Sequence, residues 1–375
     1  MTSSRARTDS ADQLTSPKSS TQKSTSPKSI NPKSINTDGP EWQPDRFLDR
    51  YEVATIALGP DPDDEDPITA TLVRRPAADR HAEHGAVLYI HGFTDYFFHQ
   101  PLADHFADLG YAFYAIDLRK CGRSLESHHT PHYATDLRVY DEELDAAVDL
   151  IVGELGDDTP IIIGAHSTGG LIAALWLDRL RRTGSVRHRR IAGLMLNSPW
   201  LDLQGEALLR THPVSMLIKA VAAVRPKTVI PQELSAAYGE SLHDSANGEW
   251  SYDLERKPMG GFPVTFGFLN AVRTGQRRLH HGIDVGVPVL VLRSDKTHFS
   301  RTYSTAVDAA DAVLDVSQIA AWSGSLGNRV TTVPITDARH DVFLSVAHAR
   351  EQAYREVDAW LARTVNVPTT TTKGR

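Results

Sequence analysis

The stretch that decides the fold is Ile161-Ile162-Ile163-Gly164-Ala165-His166-Ser167-Thr168-Gly169-Gly170. Its β-branched apolar run predicts a buried parallel strand, which breaks into a small-residue turn with Ser167 at the apex. The glycines then open a predicted helix over 171–181. A strand, a sharp turn and a helix in this order are typical of a nucleophile elbow, usually Gly-x-Ser-x-Gly. Ala165 replaces the first glycine and is small enough for the same corner.

The composition indicates an ordinary globular protein. The chain has 375 residues, of which 41% are hydrophobic and 23% charged, enough to form a large core. Its net charge of −7 argues against a nucleic-acid-binding protein. The single cysteine, Cys121, excludes an internal disulfide and indicates a reducing compartment. Because the chain has neither a run of about 20 apolar residues nor a secretory signal, we expect a cytoplasmic protein without a transmembrane segment.

Residues 1–40 differ from the rest of the chain. They contain an imperfect repeat rich in Ser, Thr, Lys and Pro, with copies at 16–19, 26–29 and 31–34. Such a composition buries too little apolar surface to fold, so we predict a disordered tail. Residues 1–36 carry six Lys or Arg and two Asp or Glu, a charge of +4 that leaves −11 on the remainder. We interpret the tail as solvated; the alternatives are transient contact with an anionic membrane surface, or phosphorylation.

Strands and helices alternate from about residue 41, which predicts an α/β fold with a mostly parallel central sheet and helices on both faces. We assign 41–202 and 287–364 to this core, and 365–375 to a flexible C-terminal tail. An antiparallel hairpin is expected at the sheet edge, with strands at 51–58 and 68–75. The predicted core strands are 86–90, 112–116, 160–163, 192–196, 288–292 and 330–335. The predicted helices lie near 101–109, 136–155, 169–182 and 345–362, with a further helix from Ser317.

One interval, 203–286, interrupts the alternation. It begins with an apolar segment and continues with loops rich in aromatic residues. Because it leaves the sheet at the carboxyl end of a strand, where open α/β folds bind ligands, we predict a helical and loop cap over the site. The alternative is additional core packing. The cap side chains expected to select the substrate are Leu208, Leu209, Val214, Leu217, Ile218 and Val221.

The predicted chemistry rests on a nucleophile, an acid and a histidine, in that order along the chain. A serine hydroxyl is a poor nucleophile at neutral pH, so Ser167 needs a base that takes its proton and a carboxylate that orients the base. The chain has 17 histidines. We favour His340 over the cluster His128, His129 and His132 because it follows the last predicted strand, where it can reach back over the sheet edge.

Two carboxylates compete for the role of the acid. Asp295 directly follows the predicted strand 288–292, whereas Asp311 precedes the helix predicted from Ser317. One helix and one strand fill the 29 residues from Asp311 to His340, while the 45 residues from Asp295 include a stretch with no assigned role. We therefore favour Asp311, and Asp295 remains the alternative.

The oxyanion that forms on attack requires two backbone N–H donors. One belongs to Thr168, directly after the nucleophile. The other is expected in the loop after strand 86–90, where Gly92 lets the chain turn and Phe93 supplies the amide. Trp200 lies at a strand end beside the elbow, so we predict that it binds substrate.

His91 and His166 flank the same loops, and we expect them to brace these loops through hydrogen bonds. Neither has a second histidine or a carboxylate set at ligand spacing, so no metal site and no cofactor is predicted. Cys121 has no base placed beside it in the sequence pattern, and we interpret it as a packed thiol.

These motifs together resemble the α/β-hydrolase superfamily, in particular its monoacylglycerol lipase and lysophospholipase branch, also described as serine aminopeptidase-like. The resemblance runs from about Val53 to Arg363. It rests on His91-Gly92-Phe93, Asp117-Leu118-Arg119-Lys120-Cys121-Gly122-Arg123-Ser124, the elbow and the late His340. The sequence departs from the branch at four points: Ala165 in the elbow, Lys120-Cys121 in place of the usual Gly-His, Thr168 where methionine is frequent, and an insertion before Asp311.

Residue pattern and resemblance lead to the same expectation. We expect a serine hydrolase that acts on a small-molecule acyl ester, such as a monoacylglycerol, a lysophospholipid or a medium-chain ester, through an acyl-serine intermediate. One alternative is an aminopeptidase-type amide hydrolase, whose cap would need a carboxylate, with Glu233, Glu240 and Glu249 as candidates. Another is a catalytically silent binding module. The sequence leaves the oligomeric state open.

Removal of residues 1–37 tests the prediction that the N-terminal tail is disordered and solvated. A chain beginning at Asp38 should keep the Tm of the full chain and its kcat/KM on a soluble ester, because no apolar pattern ties the tail to the core. Thermal unfolding and ester kinetics on both chains provide the comparison. A drop of several degrees in Tm would show that the tail docks on the folded part.

Overall fold

The residues described by a computed structural model are 41–76, 82–203, 212–231 and 235–365. The tail predicted over 1–40 and nearly all of the tail predicted over 365–375 lie outside them. The same is true of three side chains named for the predicted cap: Leu208, Leu209 and Glu233. Within the described ranges, no helix combines the length and the apolar character needed to cross a membrane.

A mixed sheet of nine strands runs through the described part of the chain. The strands are β1 (Gln43–Pro44), β2 (Glu52–Ala57), β3 (Thr69–Arg74), β4 (Gly85–Ile90), β5 (Tyr111–Asp117), β6 (Ile161–His166), β7 (Ile191–Asn197), β8 (Val289–Ser294) and β9 (Val330–Ile335). Their order across the sheet is β1-β2-β3-β5-β4-β6-β7-β8-β9. The pairs from β1 to β5 are antiparallel, and those from β5 to β9 are parallel. The mostly parallel sheet predicted from the sequence is confirmed.

The two edges of the sheet differ in an informative way. The hairpin expected at one edge consists of β2 and β3, and the short β1, which the sequence does not predict, pairs outside it. At the other edge, β9 contains Pro334, whose missing N–H is tolerated in an edge strand. In the centre, β6 continues to His166, three residues beyond its predicted end, so that Ser167 follows the strand directly.

Helices cover both faces of the sheet, as predicted. They are α1 (Gln100–Asp108), α2 (Asp141–Leu155), α3 (Ser167–Thr183), α4 (His212–Val224), α5 (Ala237–Leu242), α6 (Phe266–His280), α7 (Val316–Ser323) and α8 (Ala347–Trp360). Alternate strand residues divide the core, because neighbouring side chains of a strand point to opposite faces. Leu88 and Ile163 pack on the face that α2 and α3 cover, whereas Val87 and Ile162 pack on the face that α1 and α8 cover.

The interval 203–286 ends with α6, a helix that the sequence analysis does not predict. Its residues Phe268 and Val272 are buried in the same core cluster as α3. A Cβ on Gly275 would lie 2.8 Å from Leu175 Cδ1, so glycine lets the two helices approach closely. Glycine lowers helix propensity, and here it hides a helix whose existence depends on tertiary packing.

Lys120, one of the departures from the family pattern, is fully buried. Its Nζ lies 2.6 Å from Asp61 Oδ2 and 3.0 Å from Glu65 Oε2, both in the acidic turn between β2 and β3. Lys227, which follows α4, lies 2.7 Å from Glu65 Oε1 but is half-exposed. Burial alone would raise the pKa of Glu65, but hydrogen bonds from Lys227, Thr130 and Lys120 lower this pKa to about 2. The buried lysine therefore holds the acidic turn against the core.

Lys120→Met should destabilise the fold by about 3–5 kcal/mol, because removing one partner of a buried ion pair leaves the other charge uncompensated. Lys227→Met is the matched control: it removes a half-exposed partner of the same Glu65 and should cost about 1 kcal/mol or less. Chemical denaturation at neutral pH measures both.

The pH dependence provides a second readout. Because the pKa of Glu65 is lowered from 4.5 to about 2, its stabilising contribution is complete above about pH 4.5 and is lost as the pH falls towards 2. The difference in unfolding free energy between wild type and Lys120→Met should therefore narrow in acid. Equal penalties for the two lysine variants would contradict this account.

Candidate active site

Ser167 lies at the sharp corner between β6 and α3. Its φ of +51° is in the left-handed region, which residues other than glycine adopt rarely. The glycines that follow are required by space: a Cβ on Gly169 would lie 2.3 Å from the His91 carbonyl oxygen, and a Cβ on Gly170 would lie 2.8 Å from Pro199 Cβ. Positive φ at the serine and close approach at the glycines are the geometry of a nucleophile elbow.

The loop after β4 lies against this corner. A Cβ on Gly92 would come within 2.9 Å of Ser167 Cβ, so the absence of a side chain lets the backbone of the loop reach the serine. The next residue, Phe93, lines the same cavity as Ser167 and Thr168, and its ring stacks on Phe268 with centroids 4.8 Å apart. The residues whose amides the sequence proposes as oxyanion donors thus both border the cavity of the serine.

His340 and Asp311 form a buried pair. Asp311 Oδ2 lies 2.9 Å from His340 Nδ1. The second carboxylate oxygen accepts the N–H groups of Val313 at 2.8 Å and Leu314 at 2.7 Å. These contacts fix the carboxylate, and the carboxylate fixes the Nδ1 side of the imidazole. His340 lines the cavity together with Ser167.

Asp295, the alternative acid, lies elsewhere. It is exposed, and its Oδ1 accepts the Asp337 N–H at 3.2 Å. The residues that follow it form an insertion loop, 296–311, which leaves β8 and returns to its starting point. A parallel bridge between Thr297 and Asp311 closes the base of this loop. The loop therefore ends with Asp311 beside the imidazole, although the chain first passes Asp295.

The cavity has a volume of about 580 Å³. Trp200 lines it, and the backbone N–H of Trp200 donates to the backbone carbonyl oxygen of Ser167 at 3.0 Å. Most of the wall is apolar, with side chains that include Leu242, Tyr252, Met259, Val264, Phe299, Val313 and Leu314. A cavity of this size and character is typical of a site for a small organic ligand.

The α4 side chains expected to select the substrate are not among the described residues that line this cavity; they are Val214, Leu217, Ile218 and Val221. Leu217 is instead 62% exposed, and Ile218 is buried. The cavity wall comes from later parts of the interval and from the insertion loop, which the apolar pattern of α4 does not reveal.

A buried ionic network, which the sequence analysis does not predict, includes His166 and lies beside His340. Lys257 Nζ lies 2.6 Å from Asp95 Oδ1, and Asp95 Oδ2 lies 3.1 Å from His166 Nδ1. The His166 ring centroid is in turn 4.9 Å from that of His340. Burial alone would raise the pKa of Asp95, but Lys257 and His166 hold this pKa well below its usual range. The bracing expected of His166 is therefore supported by a hydrogen bond.

Asp341 belongs to the same network. Its Oδ1 accepts the Asn197 side-chain amide at 2.6 Å, and its Oδ2 lies 3.6 Å from His99 Nε2 and 3.9 Å from His166 Nδ1. Burial alone would raise the pKa of Asp341, but the facing imidazoles of His166 and His99 lower it. No local pattern predicts this network, because its partners Lys257 and Asp95 are 162 positions apart in the chain.

Asp95, His166 and Asp341 each place one donor atom within 4.8 Å of the others, a spacing that a metal site requires. Both oxygens of Asp95 already have a partner, one the Lys257 ammonium and the other His166 Nδ1. A divalent ion would therefore face a buried positive charge. We interpret the group as an ion-pair network that supports the elbow.

Comparison with solved structures shows the same fold. A soluble variant of monoglyceride lipase from Saccharomyces cerevisiae, in complex with a substrate analogue, is 17% identical and superposes with a TM-score of 0.56 over 90% of this chain and 100% of that one. The monoacylglycerol lipase of Paleococcus ferrophilus is also 17% identical, with a TM-score of 0.56 over 75% of this chain and 95% of that one. DcsB, solved with its substrate analogue, is 15% identical, with a TM-score of 0.57 over 84% and 100%.

No curated protein matches the chain. The family described as serine aminopeptidase, S33, also called Hydrolase_4, matches residues 81–313, which is more than half of the sequence. The match includes the β4 loop, the elbow and the insertion loop. The chain therefore belongs to the serine aminopeptidase S33 family of α/β-hydrolases.

Proposed function

We propose that the protein is a serine hydrolase that cleaves small-molecule carboxylic esters through an acyl-serine intermediate. Ser167 is the nucleophile, His340 the base and Asp311 the acid that orients the base. The observation that carries this proposal is the 2.9 Å contact between Asp311 Oδ2 and His340 Nδ1 at the wall of the cavity that Ser167 also lines.

In each half of the proposed reaction, one proton moves from the nucleophile to His340 and then from His340 to the leaving oxygen. His340 Nε2 takes the proton of Ser167 Oγ while this oxygen attacks the ester carbonyl carbon, and Asp311 stabilises the imidazolium at Nδ1. The imidazolium then gives the proton to the alcohol oxygen as the C–O bond breaks, which leaves the acyl-serine. The same imidazole then takes a proton from water, which attacks the acyl carbon; the imidazolium returns this proton to Ser167 Oγ as the acyl C–Oγ bond breaks, and the carboxylic acid leaves.

The backbone amides of Phe93 and Thr168 stabilise the tetrahedral oxyanion. The close approach of Gly92 to Ser167 supports this assignment, because it keeps the β4 loop within reach of the reacting carbonyl. Thr168 lies in the first turn of α3, where the N–H groups are free of helical partners and the helix dipole favours negative charge. Donors of this kind act only on charge that develops in the transition state.

The cavity wall favours an ester over a peptide with a free α-amine, despite the name of the family. An aminopeptidase requires a carboxylate that binds the amine, and among the described lining residues there is no Asp or Glu. Of the candidates from the sequence, Glu249 pairs with Arg350, Glu240 does not line the cavity, and Glu233 lies outside the described residues. The aminopeptidase function therefore stands second.

The apolar wall supports a medium-length acyl chain as the group that occupies the cavity, with Trp200 among its contacts. Each methylene that leaves water for such a wall contributes about 0.8 kcal/mol. Two of the distant structural neighbours are monoglyceride lipases, which is consistent with a substrate that carries an acyl chain.

Asp311→Asn should lower kcat by about 10²–10⁴-fold, because an amide stabilises the wrong tautomer of His340 and no imidazolium. Asp295→Asn is the matched control and should stay near wild type, since its exposed carboxylate accepts a hydrogen bond from the Asp337 amide and has none with His340 among the described residues. Steady-state kinetics on a 4-nitrophenyl ester measures both, and the unchanged Tm of each variant verifies the fold.

Ser167→Ala sets the floor of this experiment, with an expected loss of about 10³–10⁶-fold and no labelling by a fluorophosphonate probe. A larger loss at position 295 than at position 311 would reverse the assignment of the acid. A wild-type protein that is neither labelled nor active on any ester would support the silent binding module instead.

A chain-length series tests the substrate class. For 4-nitrophenyl esters from acetate to palmitate, kcat/KM should rise to a medium-length chain and then level off or fall, because the cavity is finite and largely apolar. Aminoacyl 4-nitroanilides with a free amine, measured in parallel, should react poorly. Preference for the aminoacyl amides, or for acetate alone, would exclude the proposed substrate.

A further inference from the structure

The insertion loop contributes three consecutive residues to the cavity wall: Phe299, Ser300 and Arg301. Phe299 is 52% exposed, and Arg301 is exposed as well. Because these side chains line the cavity and also contact solvent, they form part of its rim. The same loop ends at the buried Asp311, so it connects the rim of the cavity to the proposed acid.

Two cationic side chains are among the described residues that line the cavity, and their surroundings differ. Lys257 is buried, and its ammonium is neutralised by Asp95 at 2.6 Å. Arg301 is different: in the part of the chain that the structure describes, its guanidinium has no ion pair and no hydrogen bond. No carboxylate among the described lining residues offsets it. Among the described residues, the rim therefore carries one positive charge without a paired carboxylate, in a protein whose net charge is −7.

The backbone that carries Arg301 is anchored on both sides. Ser235 Oγ donates to the Ser300 carbonyl oxygen at 2.6 Å, which ties the loop to the residues before α5. At the base of the loop, Thr297 pairs with Asp311. The main chain next to Arg301 is thus held in place while the side chain remains free to bind.

We infer that Arg301 is a specificity-determining residue that binds an anionic group, a carboxylate or a phosphate, on the substrate. The inference rests on the proposed ester hydrolysis and deepens it. A guanidinium presents paired N–H donors that match two oxygens of either group. The exposed ring of Phe299 beside it offers apolar contact to the part of the substrate that leads to the anion. The preferred substrate is an acyl ester whose anionic group reaches the rim.

Two pairs of esters test this inference. The first compares 4-nitrophenyl hexanoate with the mono-4-nitrophenyl ester of adipic acid, which adds a carboxylate at the acyl end. The second compares 1-decanoylglycerol with 1-decanoylglycerol 3-phosphate, which adds a phosphate on the alcohol side. The measured quantity is kcat/KM at low ionic strength for the wild type and for Arg301→Gln, Arg301→Lys and Arg225→Gln. Arg225 is the matched control because it is an exposed cation close to α4 that does not line the cavity.

In at least one pair, Arg301→Gln should lower kcat/KM for the anionic ester about 3- to 10-fold and leave the neutral ester within twofold. Arg301→Lys should retain part of the preference, and Arg225→Gln should retain all of it. Added salt at about 0.5 M should reduce the preference of the wild type, because it screens a rim charge. The pair that responds identifies the anion and the side of the ester that carries it.

Other outcomes distinguish a wrong role for Arg301 from a wrong proposed function. If Arg301→Gln affects both members of each pair equally, or neither, the inference is overturned and the proposed ester hydrolysis remains. If Arg225→Gln has the same effect as Arg301→Gln, the preference is a general field effect and the inference is again overturned. If the wild type hydrolyses no ester in either pair, it is the proposed function that fails.

Discussion

The whole site depends on how closely two pieces of backbone approach each other. Gly169, in the first turn of α3, leaves no room for a Cβ, which would lie 2.3 Å from the His91 carbonyl oxygen at the end of β4. Gly92, just beyond that carbonyl, also leaves little room, because a Cβ there would lie 2.9 Å from Ser167 Cβ. This contact brings the serine, the amide behind it and the amides of the β4 loop into one small volume. A larger residue at either glycine would separate them.

Much of this arrangement is predictable because it is local. A β-branched run, a serine and two glycines specify a strand, a strained corner and a helix within ten residues, without help from distant parts of the chain. His340 is predictable for a related reason. Parallel strands end at the same edge of the sheet, so the loop after the last strand lies near the elbow. One helix and one strand fill the chain between Asp311 and His340, which favours Asp311 as the acid, and Asp311 Oδ2 lies 2.9 Å from His340 Nδ1.

The remainder was not predictable, because it depends on partners far apart in the sequence. Lys120 reads as a departure from a family motif, and only the fold reveals the acidic turn with which it pairs. Lys257 and Asp95, which pair in the buried network, are separated by 162 positions in the sequence. Gly275 weakens the helical pattern of α6, yet this glycine permits the packing of α6 against α3. The apolar pattern of α4 predicts a wall of the cavity, but several of its hydrophobic side chains, Leu217 among them, are exposed to solvent.

The closed base of the insertion loop has a consequence for how this chain can diversify. Since Thr297 and Asp311 pair with each other, the residues between them form an excursion whose two ends are held together. We therefore expect that a change at its tip leaves Asp311, at its exit, in position. Under the roles proposed for Arg301 and Asp311, the tip of this loop acts on substrate range and its exit acts on the chemistry. Such modularity makes the tip a natural starting point for directed evolution of new selectivity on an unchanged scaffold.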